Sequence, residues 1–176
     1  MIPLYRRLLG ARFDELPGQV RELHDVSSAV TWAGSADVTR GSSLPARAIA
    51  TLFGLPPDGR DQPLTVMFAP RGDTEIWTRT FGKKRFISTQ RAARGELRET
   101  VGPCTLQMIL QANDQGLALT LGRARIFGMP VPRFLLPHIR TAESELDGRY
   151  MFDVETVIPA FGLLVRYRGW LERAAS

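Results

Sequence analysis

The segment from Gly116 to Pro132 alternates between large hydrophobic and small or polar residues over an unusual length for a strand. Successive side chains of a β-strand point to opposite faces, so one face of this segment carries three leucines: Leu117, Leu119 and Leu121. Arg123 and Arg125 then follow in phase with the leucines. The pattern therefore predicts either a change of register near Gly122 or two arginines on a buried face.

The same period of two recurs from Gln62 to Tyr167, and short turn sequences separate the alternating segments. The turn candidates are Arg71-Gly72-Asp73, Gly82-Lys83-Lys84, Gly102-Pro103, Asn113-Asp114-Gln115-Gly116 and Pro159 to Gly162. Short turns join antiparallel neighbours, so this part of the chain predicts a meander of about seven strands. A weaker alternation from Ala33 to Arg40 predicts an additional strand before it.

Helical patterns are confined to the first third of the chain. They predict helices at Pro3 to Leu9, Asp14 to His24 and Leu44 to Phe53. Ser43 is a suitable N-cap for the third helix, whose apolar stripe comprises Leu44, Ala48, Ile49, Leu52 and Phe53. A long meander tends to curl, and we expect it to bury the stripe of this third helix.

Together these elements predict an α+β fold, with a curved or barrel-like antiparallel β-sheet meander and two or three N-terminal-half helices packed at one end. No linker or repeat divides the sequence. We therefore expect a single domain over residues 1–176, with helices within 3–54 and the meander strands within 62–172.

Composition narrows the functional classes. The 176 residues are 44% hydrophobic and carry a formal net charge of +5. Acids and bases are interleaved, and no nucleic-acid-binding module accompanies the charge, so we expect no nucleic-acid partner. Cys104 is the single cysteine, and no apolar run is long enough for a signal peptide or a transmembrane segment. These features favour the cytoplasm.

The sequence lacks the motifs of phosphate loops, dinucleotide sites, nucleophile elbows and paired metal-binding histidines. We therefore expect no cofactor and no metal. His24 stands at the predicted end of the second helix, where a histidine is typically a dipole partner or a surface cap. Enzymatic activity stays open, with the balance against it.

Several charged residues fall on faces that are otherwise apolar. Arg79 lies between Trp77 and Phe81, and Glu99 occupies a similar position between two aliphatic residues. One interpretation is a structural ion-pair network in which Glu99 pairs with Arg79 or Arg123. In a second interpretation these faces point outward, and the arginine stems cover the aromatic rings.

A third interpretation is a ligand cavity inside a cupped sheet. The candidate binding residues are Trp77, Arg79, Phe81, Glu99, Arg123, Arg125 and Asp153. An excess of arginine over glutamate would suit a small apolar anionic ligand, since guanidinium groups bind carboxylates and phosphates with two hydrogen bonds. An enzymatic variant of this hypothesis uses Glu99 or Asp153 as acid or base and Arg79 as an anion clamp.

The segment from Phe127 to Ile139 contains three prolines, so neither a regular helix nor a central strand is expected there. It is nevertheless strongly apolar. It is either a loop packed under the core or an exposed rim, lid or membrane-touching lip, and Arg133 at its centre fits the lip better.

Several separated sequences resemble the uncharacterised family of domain of unknown function 4166. They are WTRTFGKKRFIS (77–88), GELRETVGP (95–103), GRARIFGMPVPRFLLP (122–137) and FDVETVIPAFGLLVRYRGWL (152–171), with ELPGQVRELH (15–24) and ADVTRG (36–41) nearer the front. The resemblance covers nearly the whole chain and carries no catalytic residues with it.

The resemblance also implies a class of partner. Domains of this family are associated with saccharopine-dehydrogenase-like or epimerase-like NAD-binding proteins, and this sequence contains no such domain. We therefore expect a free-standing version, for which a separate oxidoreductase is one candidate partner. Homo-oligomerisation is also compatible with the sequence.

Overall fold

A computed structural model describes residues 2–175 of the chain. The helices are α1 (Leu4–Leu9), α2 (Gly18–His24) and α3 (Leu44–Leu52), with 3-10 turns at Gly10–Glu15 and Arg133–Leu135. The strands are β1 (Val30–Arg40), β2 (Gly59–Arg71), β3 (Thr74–Phe81), β4 (Lys84–Ala93), β5 (Glu96–Val101), β6 (Cys104–Asn113), β7 (Gly116–Ile126), β8 (Met129–Pro130), β9 (His138–Leu146), β10 (Arg149–Ile158) and β11 (Gly162–Arg173).

Ten of these strands form a closed antiparallel barrel, and the two-residue β8 is attached to the edge of β7. The strands follow the order β6-β5-β4-β3-β2-β1-β11-β10-β9-β7, and pairing between β6 and β7 closes the ring. The predicted α+β class with a barrel-like antiparallel meander is confirmed. The predicted turns at Gly72, Gly82 and Gly102 join strands as expected.

The close approach of β1 and β11 depends on a glycine in the YRGWL sequence. A Cβ atom at Gly169 would lie 1.9 Å from the carbonyl oxygen of Ser35 on the neighbouring strand. That separation is far below van der Waals contact, so only glycine fits there without displacing the backbone.

The first two helices plug one end of the barrel. Buried side chains of these helices and of the 3-10 segment between them join the hydrophobic core that the inward faces of the strands form: Leu4, Tyr5, Phe13, Leu16, Val20 and Leu23. The backbone N–H of Leu4 donates to Glu75 on β3, and that of Gln19 donates to Glu145 on β9. We call this end, where the β2–β3, β4–β5, β6–β7 and β9–β10 turns lie, the plug end.

The third helix does not fill the barrel, and the expectation that the sheet curls around it is wrong. Helix α3 packs on the outside of the barrel in a separate small cluster, where Ala46 and Ala50 contact Leu164 of β11. The predicted stripe is also wrong, because Leu44 and Leu52 are 79% and 82% exposed.

A β-bulge at Gly122 answers the question that the long alternating segment raises. On β7, Leu121 pairs with Met108 but Arg123 pairs with Gln107, so one residue is inserted between consecutive partners. The insertion reverses the phase of the strand. Ala124 consequently points into the barrel and is buried, whereas the two arginines flanking it are exposed.

The opposite end of the barrel, which we call the open end, is formed by the β3–β4, β5–β6 and β10–β11 turns and by the segment 127–137. This proline-rich segment contains only β8 and one 3-10 turn, as its prolines predict. Between β7 and β9 the register covers four pairs, from Leu117 to Thr120 on β7, so the two strands diverge toward the open end. Within residues 2–175, the helices are too short and too polar for any of them to cross a bilayer.

Candidate functional site

The inward face of β3 supplies the centre of the site. Glu75, Trp77, Arg79 and Phe81 occupy alternate positions, so a single strand places two charged and two aromatic side chains inside the barrel. The sequence pattern predicts this shared face for the last three of them. The structure adds Glu75, which is 2% exposed and lies nearest the plug.

The guanidinium group of Arg79 makes a hydrogen bond, an ion pair and contacts with two aromatic rings. Its Nη1 donates to the hydroxyl of Ser88 at 2.9 Å, and its Nη2 lies 3.5 Å from Oε1 of Glu99. Its guanidinium carbon lies over the rings of Trp77 at 4.8 Å and Phe86 at 5.2 Å. Burial alone lowers the pKa of Arg79, but the Glu99 carboxylate and nearby tyrosines reverse the shift, so the guanidinium stays charged.

Three of the seven predicted binding residues lie outside the barrel. Arg123 and Arg125 are turned outward by the bulge. Asp153 is on the outer face of β10, where its two carboxylate oxygens accept from Arg166 at 2.9 and 2.5 Å. The interior therefore brings together only Trp77, Arg79, Phe81 and Glu99, and Asp153 cannot act together with Arg79 on one ligand.

A second polar cluster lies directly under the plug. Nε2 of His24 is 2.6 Å from Oε2 of Glu143, and both side chains are buried. The imidazole stacks on the ring of Tyr5 with centroids 3.7 Å apart, and the Tyr5 hydroxyl donates to Oε1 of Gln90 at 3.0 Å. His24 ends its helix as predicted, but it faces the barrel interior rather than the surface.

Glu75 connects the plug to the wall of the barrel. One carboxylate oxygen accepts from the backbone N–H of Leu4 and the other from Nε1 of Trp77, each at 3.2 Å. Burial raises the pKa of Glu75, and these two hydrogen bonds offset the shift only in part. The carboxyl group consequently takes up a proton more readily in the folded state than in the unfolded chain.

Three tyrosines border the two clusters, and burial raises the pKa of each: Tyr5, Tyr150 and Tyr167. For Tyr150 the negative charge of Glu143 adds to the effect of burial. All three phenols therefore stay protonated at neutral pH and can donate hydrogen bonds.

The polar side chains inside the barrel contain more acids than bases. Glu75, Glu99 and Glu143 face a single guanidinium, that of Arg79, and the imidazole of His24. The sequence interpretation assumed the reverse balance because it counted Arg123 and Arg125 as inward.

The two ends of the interior differ in their access to solvent. Tyr5 and His24 are 0% exposed under the plug, whereas the Arg79 and Glu99 side chains are 12% and 16% exposed. Toward the open end the lining is only partly buried: Phe86, Leu106, Leu121, Ile139, Val154 and Tyr167. The Arg79–Glu99 pair thus stands between a sealed half and a half that opens outward.

Two hollows of about 290 Å³ each lie elsewhere on the molecule. One is bounded by Arg40, Arg47 and Asp58 beside α3. The other lies where the plug meets β5 and β6 and is bounded by residues that include Arg12 and Glu96. Neither is lined by the Arg79–Glu99 pair. Within residues 2–175 no three or more histidine, cysteine, aspartate or glutamate side chains are grouped to hold a metal ion.

The sequence interpretation missed the cluster under the plug for a physical reason. His24 and Glu143 are separated by 119 positions, so no local spacing connects them. The available signal was weaker. Glu75 lies two residues before Trp77, and Gln90 lies two residues after Ser88, so each shares the alternating face of that residue.

Comparisons with known proteins give one result. Residues 16–171 match the family model described as domain of unknown function (DUF4166). Searches of the curated proteins and of the solved structures gave no significant match. The matched region includes nine complete strands of the barrel, most of β11, the second helix of the plug and the Arg79–Glu99 pair. On this coverage of nearly the whole sequence, the chain belongs to the DUF4166 family.

Proposed function

We propose that the barrel binds a small, largely apolar molecule with one hydrogen-bonding head group, in the half that faces the open end. The observation that carries the proposal is the Arg79–Glu99 pair. It points inward and keeps some exposure, at 12% and 16% for the two side chains. A charged pair inside a barrel orients a ligand when apolar walls surround it.

The walls of this half have the required character. Phe81, Phe86 and Tyr167 form an aromatic group, with ring centroids 6.1 Å apart for the first two and 5.5 Å for Phe81 and Tyr167. Aliphatic side chains from β6, β7, β9 and β10 complete the lining. We expect the ligand body to displace Phe86 and Leu106, which are only partly buried.

The charge balance bears on the head group. A ligand carboxylate would have to compete with Glu99 for Arg79, and two further glutamates lie deeper in the barrel. The pair offers donors from Arg79 and an acceptor from Glu99, which suits a neutral hydroxyl or amide. The anionic ligand expected from the sequence loses the support of Arg123 and Arg125.

Mass spectrometry of the purified full chain is the direct test. Native and denatured spectra are compared, and solvent extracts are analysed for released molecules. A co-purifying apolar molecule with a neutral head supports the proposal. A released fatty acid or phospholipid would support an internal site but overturn the neutral head group.

Dye titration tests the site when nothing co-purifies. N-phenyl-1-naphthylamine is neutral and 1-anilinonaphthalene-8-sulfonate is anionic, and we expect saturable fluorescence enhancement by the neutral dye. Leu106→Trp fills the proposed site and should abolish this enhancement. Ile109→Trp on the same strand, where the side chain is 47% exposed, is the matched control and should bind as the wild type does. Equal dye binding by both variants would overturn the proposal.

A further inference from the structure

Large exposed hydrophobic side chains are concentrated at the open end of the barrel. In the segment 127–137, Phe127 is 79% exposed, Met129 68%, Phe134 75% and Leu135 48%. Phe161, in the neighbouring β10–β11 turn, is 41% exposed. Contiguous exposed patches of this kind mark contact surfaces in soluble proteins.

Basic residues surround this apolar surface. Lys83, Lys84 and Arg85 occupy the β3–β4 tip, and Arg125 and Arg133 flank or lie within the apolar segment. All five are exposed, and within residues 2–175 none of them forms an ion pair with an acid.

The surrounding sequence contributes no acids to this part of the rim. From Thr80 to Gln90 the chain has three basic residues and no acid, and from Gln115 to Ala142 it has four arginines and no acid. The β3–β4, β5–β6 and β7–β9 connections are neighbours around the ring, so the basic and apolar residues form one continuous surface. Two acids, Asp58 and Asp61, lie across the rim near α3 and accept hydrogen bonds from within the fold.

The plug end carries exposed charges of both signs. Its exposed acids are Asp14, Glu15, Glu22, Asp25, Asp73, Asp114, Glu145, Asp147 and Glu172, and its exposed bases include Arg7, Arg12, Arg21, Arg71, Arg91 and Arg94. The two ends therefore differ in charge balance, because at the open end the bases beside the exposed aromatic side chains have few acids near them.

From this difference we propose that the open end docks on the surface of a bilayer that contains anionic phospholipids. Aromatic and aliphatic side chains enter the region between head groups and acyl chains, while lysine and arginine bind the lipid phosphates. The combination favours a membrane, because a bilayer that contains anionic lipids offers apolar acyl chains and negatively charged phosphates at the same boundary. The inference does not depend on an internal ligand, since vesicle binding reports on the outer surface.

Vesicle sedimentation with the purified full chain tests this inference. We expect binding to vesicles of phosphatidylcholine mixed with phosphatidylglycerol, weaker binding to phosphatidylcholine alone, and weakening by added salt. The double variant Phe127→Asn with Phe134→Gln should bind at least about tenfold more weakly. Asparagine suits position 127, where φ is +50°. The matched control is Ile2→Gln with Leu146→Gln at the plug end, whose side chains are 60% and 59% exposed.

A second pair of variants tests whether vesicle binding depends on where the basic residues lie or only on the net charge of the protein. Lys83→Gln with Lys84→Gln at the open end should weaken binding about tenfold or more, since each basic residue near an anionic surface contributes substantially. Arg71→Gln with Arg91→Gln removes the same net charge from exposed sites at the plug end and should change binding by less than about threefold.

Three outcomes would overturn the inference. They are the absence of binding to anionic vesicles, equal losses in the open-end and plug-end variants, and a dimer or a stable protein complex that the Phe127 and Phe134 substitutions disrupt. Circular dichroism and thermal midpoints matching the wild type show that the exposed substitutions leave the fold intact.

Discussion

At the scale of single residues, the Arg79–Glu99 pair links stability to the proposed site. Both side chains are less than one-fifth exposed, at 12% and 16%. Glu99→Gln leaves a largely buried guanidinium without its carboxylate, and we expect a loss of about 3 kcal/mol in the free energy of unfolding. Urea denaturation followed by circular dichroism measures it.

Asp153→Asn provides the control for this prediction. Asp153 pairs with Arg166 on the outer surface, where solvent screens the interaction, so its loss should shift the urea midpoint much less. A double-mutant cycle with Arg79→Met isolates the coupling between Arg79 and Glu99. Equal midpoint shifts for Glu99→Gln and Asp153→Asn would contradict the assignment of an interior pair.

Glu75 gives a prediction about pH. Its pKa in the folded protein is raised above the ordinary value of 4.5, mainly by burial. Between the two values the folded state binds more protons than the unfolded state, so stability falls as pH rises through that window. Glu75→Gln removes this titration, and the variant should lack that part of the fall.

Unfolding free energies of wild type and Glu75→Gln, measured from about pH 4 to pH 8, test the prediction. The lost hydrogen bond to Leu4 or Trp77 gives an offset that does not depend on pH, so only the difference in slope is informative. Parallel curves for the two proteins would show that Glu75 titrates alike in the folded and unfolded states.

How far single residues could be predicted depended on whether their partners were local. The shared face of Trp77, Arg79 and Phe81 follows from strand alternation, and the structure places all three inside the barrel. His24 could not be placed in this way. Its partner Glu143 lies 119 positions away in the sequence, on strand β9. The histidine is buried only because the folded barrel places this strand against the end of its helix.

At the scale of elements, the bulge in β7 decides which side chains are buried. We expect Ala124→Asp, which places a charge on the buried inward face, to cost several kcal/mol or prevent folding, because burial removes the carboxylate from water. Arg123→Ala and Arg125→Ala on the outward face should change stability by less than about 0.5 kcal/mol. Thermal and urea unfolding of the three variants provide the comparison.

A matched substitution keeps this test specific to the bulge. Ala118→Asp lies on the same strand before the bulge, on the opposite face from Leu117 and Leu119, and should be tolerated far better than Ala124→Asp. If Arg123→Ala were as destabilising as Ala124→Asp, the phase of β7 beyond Gly122 would be the reverse of the one described.

Two elements show the limits of pattern reading. Helix α3 was expected to bury its leucines, but its contact surface is the small Ala46 and Ala50 side, which allows close packing on Leu164. Strand β9 was not predicted as a separate strand. Its sequence HIRTAESEL places both of its acids, Glu143 and Glu145, on the face that also carries Ile139, and the buried Glu143 is stabilised there by His24.

At the scale of the whole molecule, the meander and its tendency to curl were predictable, whereas the identity of the element that plugs it was not. Alternation and short turns determine neighbours along the ring. Which helix enters the barrel depends on shape. Helices α1 and α2 bring Tyr5 and Leu23 to the end of the barrel, where the wall provides Glu75 and Glu143 as hydrogen-bond partners. The stronger amphipathic stripe of α3 carried no information about that fit.

The number of paired positions differs between neighbouring strands of the barrel, and this difference leads to a prediction about dynamics. Strands β1 and β11 pair over nine positions, whereas β7 and β9 pair over only four. The protection of a backbone amide from hydrogen exchange increases with the free energy needed to open its hydrogen bond. We expect amide hydrogen exchange in the first half of β9 and in the segment 127–137 to be faster than in β1 and β11.

Hydrogen-exchange mass spectrometry on peptic peptides measures this difference. A bound ligand and a membrane should each slow exchange in a different segment. A ligand in the open half contacts the inner wall beside the short β7–β9 pairing, so protection should increase in β9 and near Leu106. Vesicles should instead protect the outer segment 127–137. Uniform exchange around all ten strands would mean that the β7–β9 pairing is as stable as the other strand pairings. Any ligand would then enter between the turns of the open end rather than between β7 and β9.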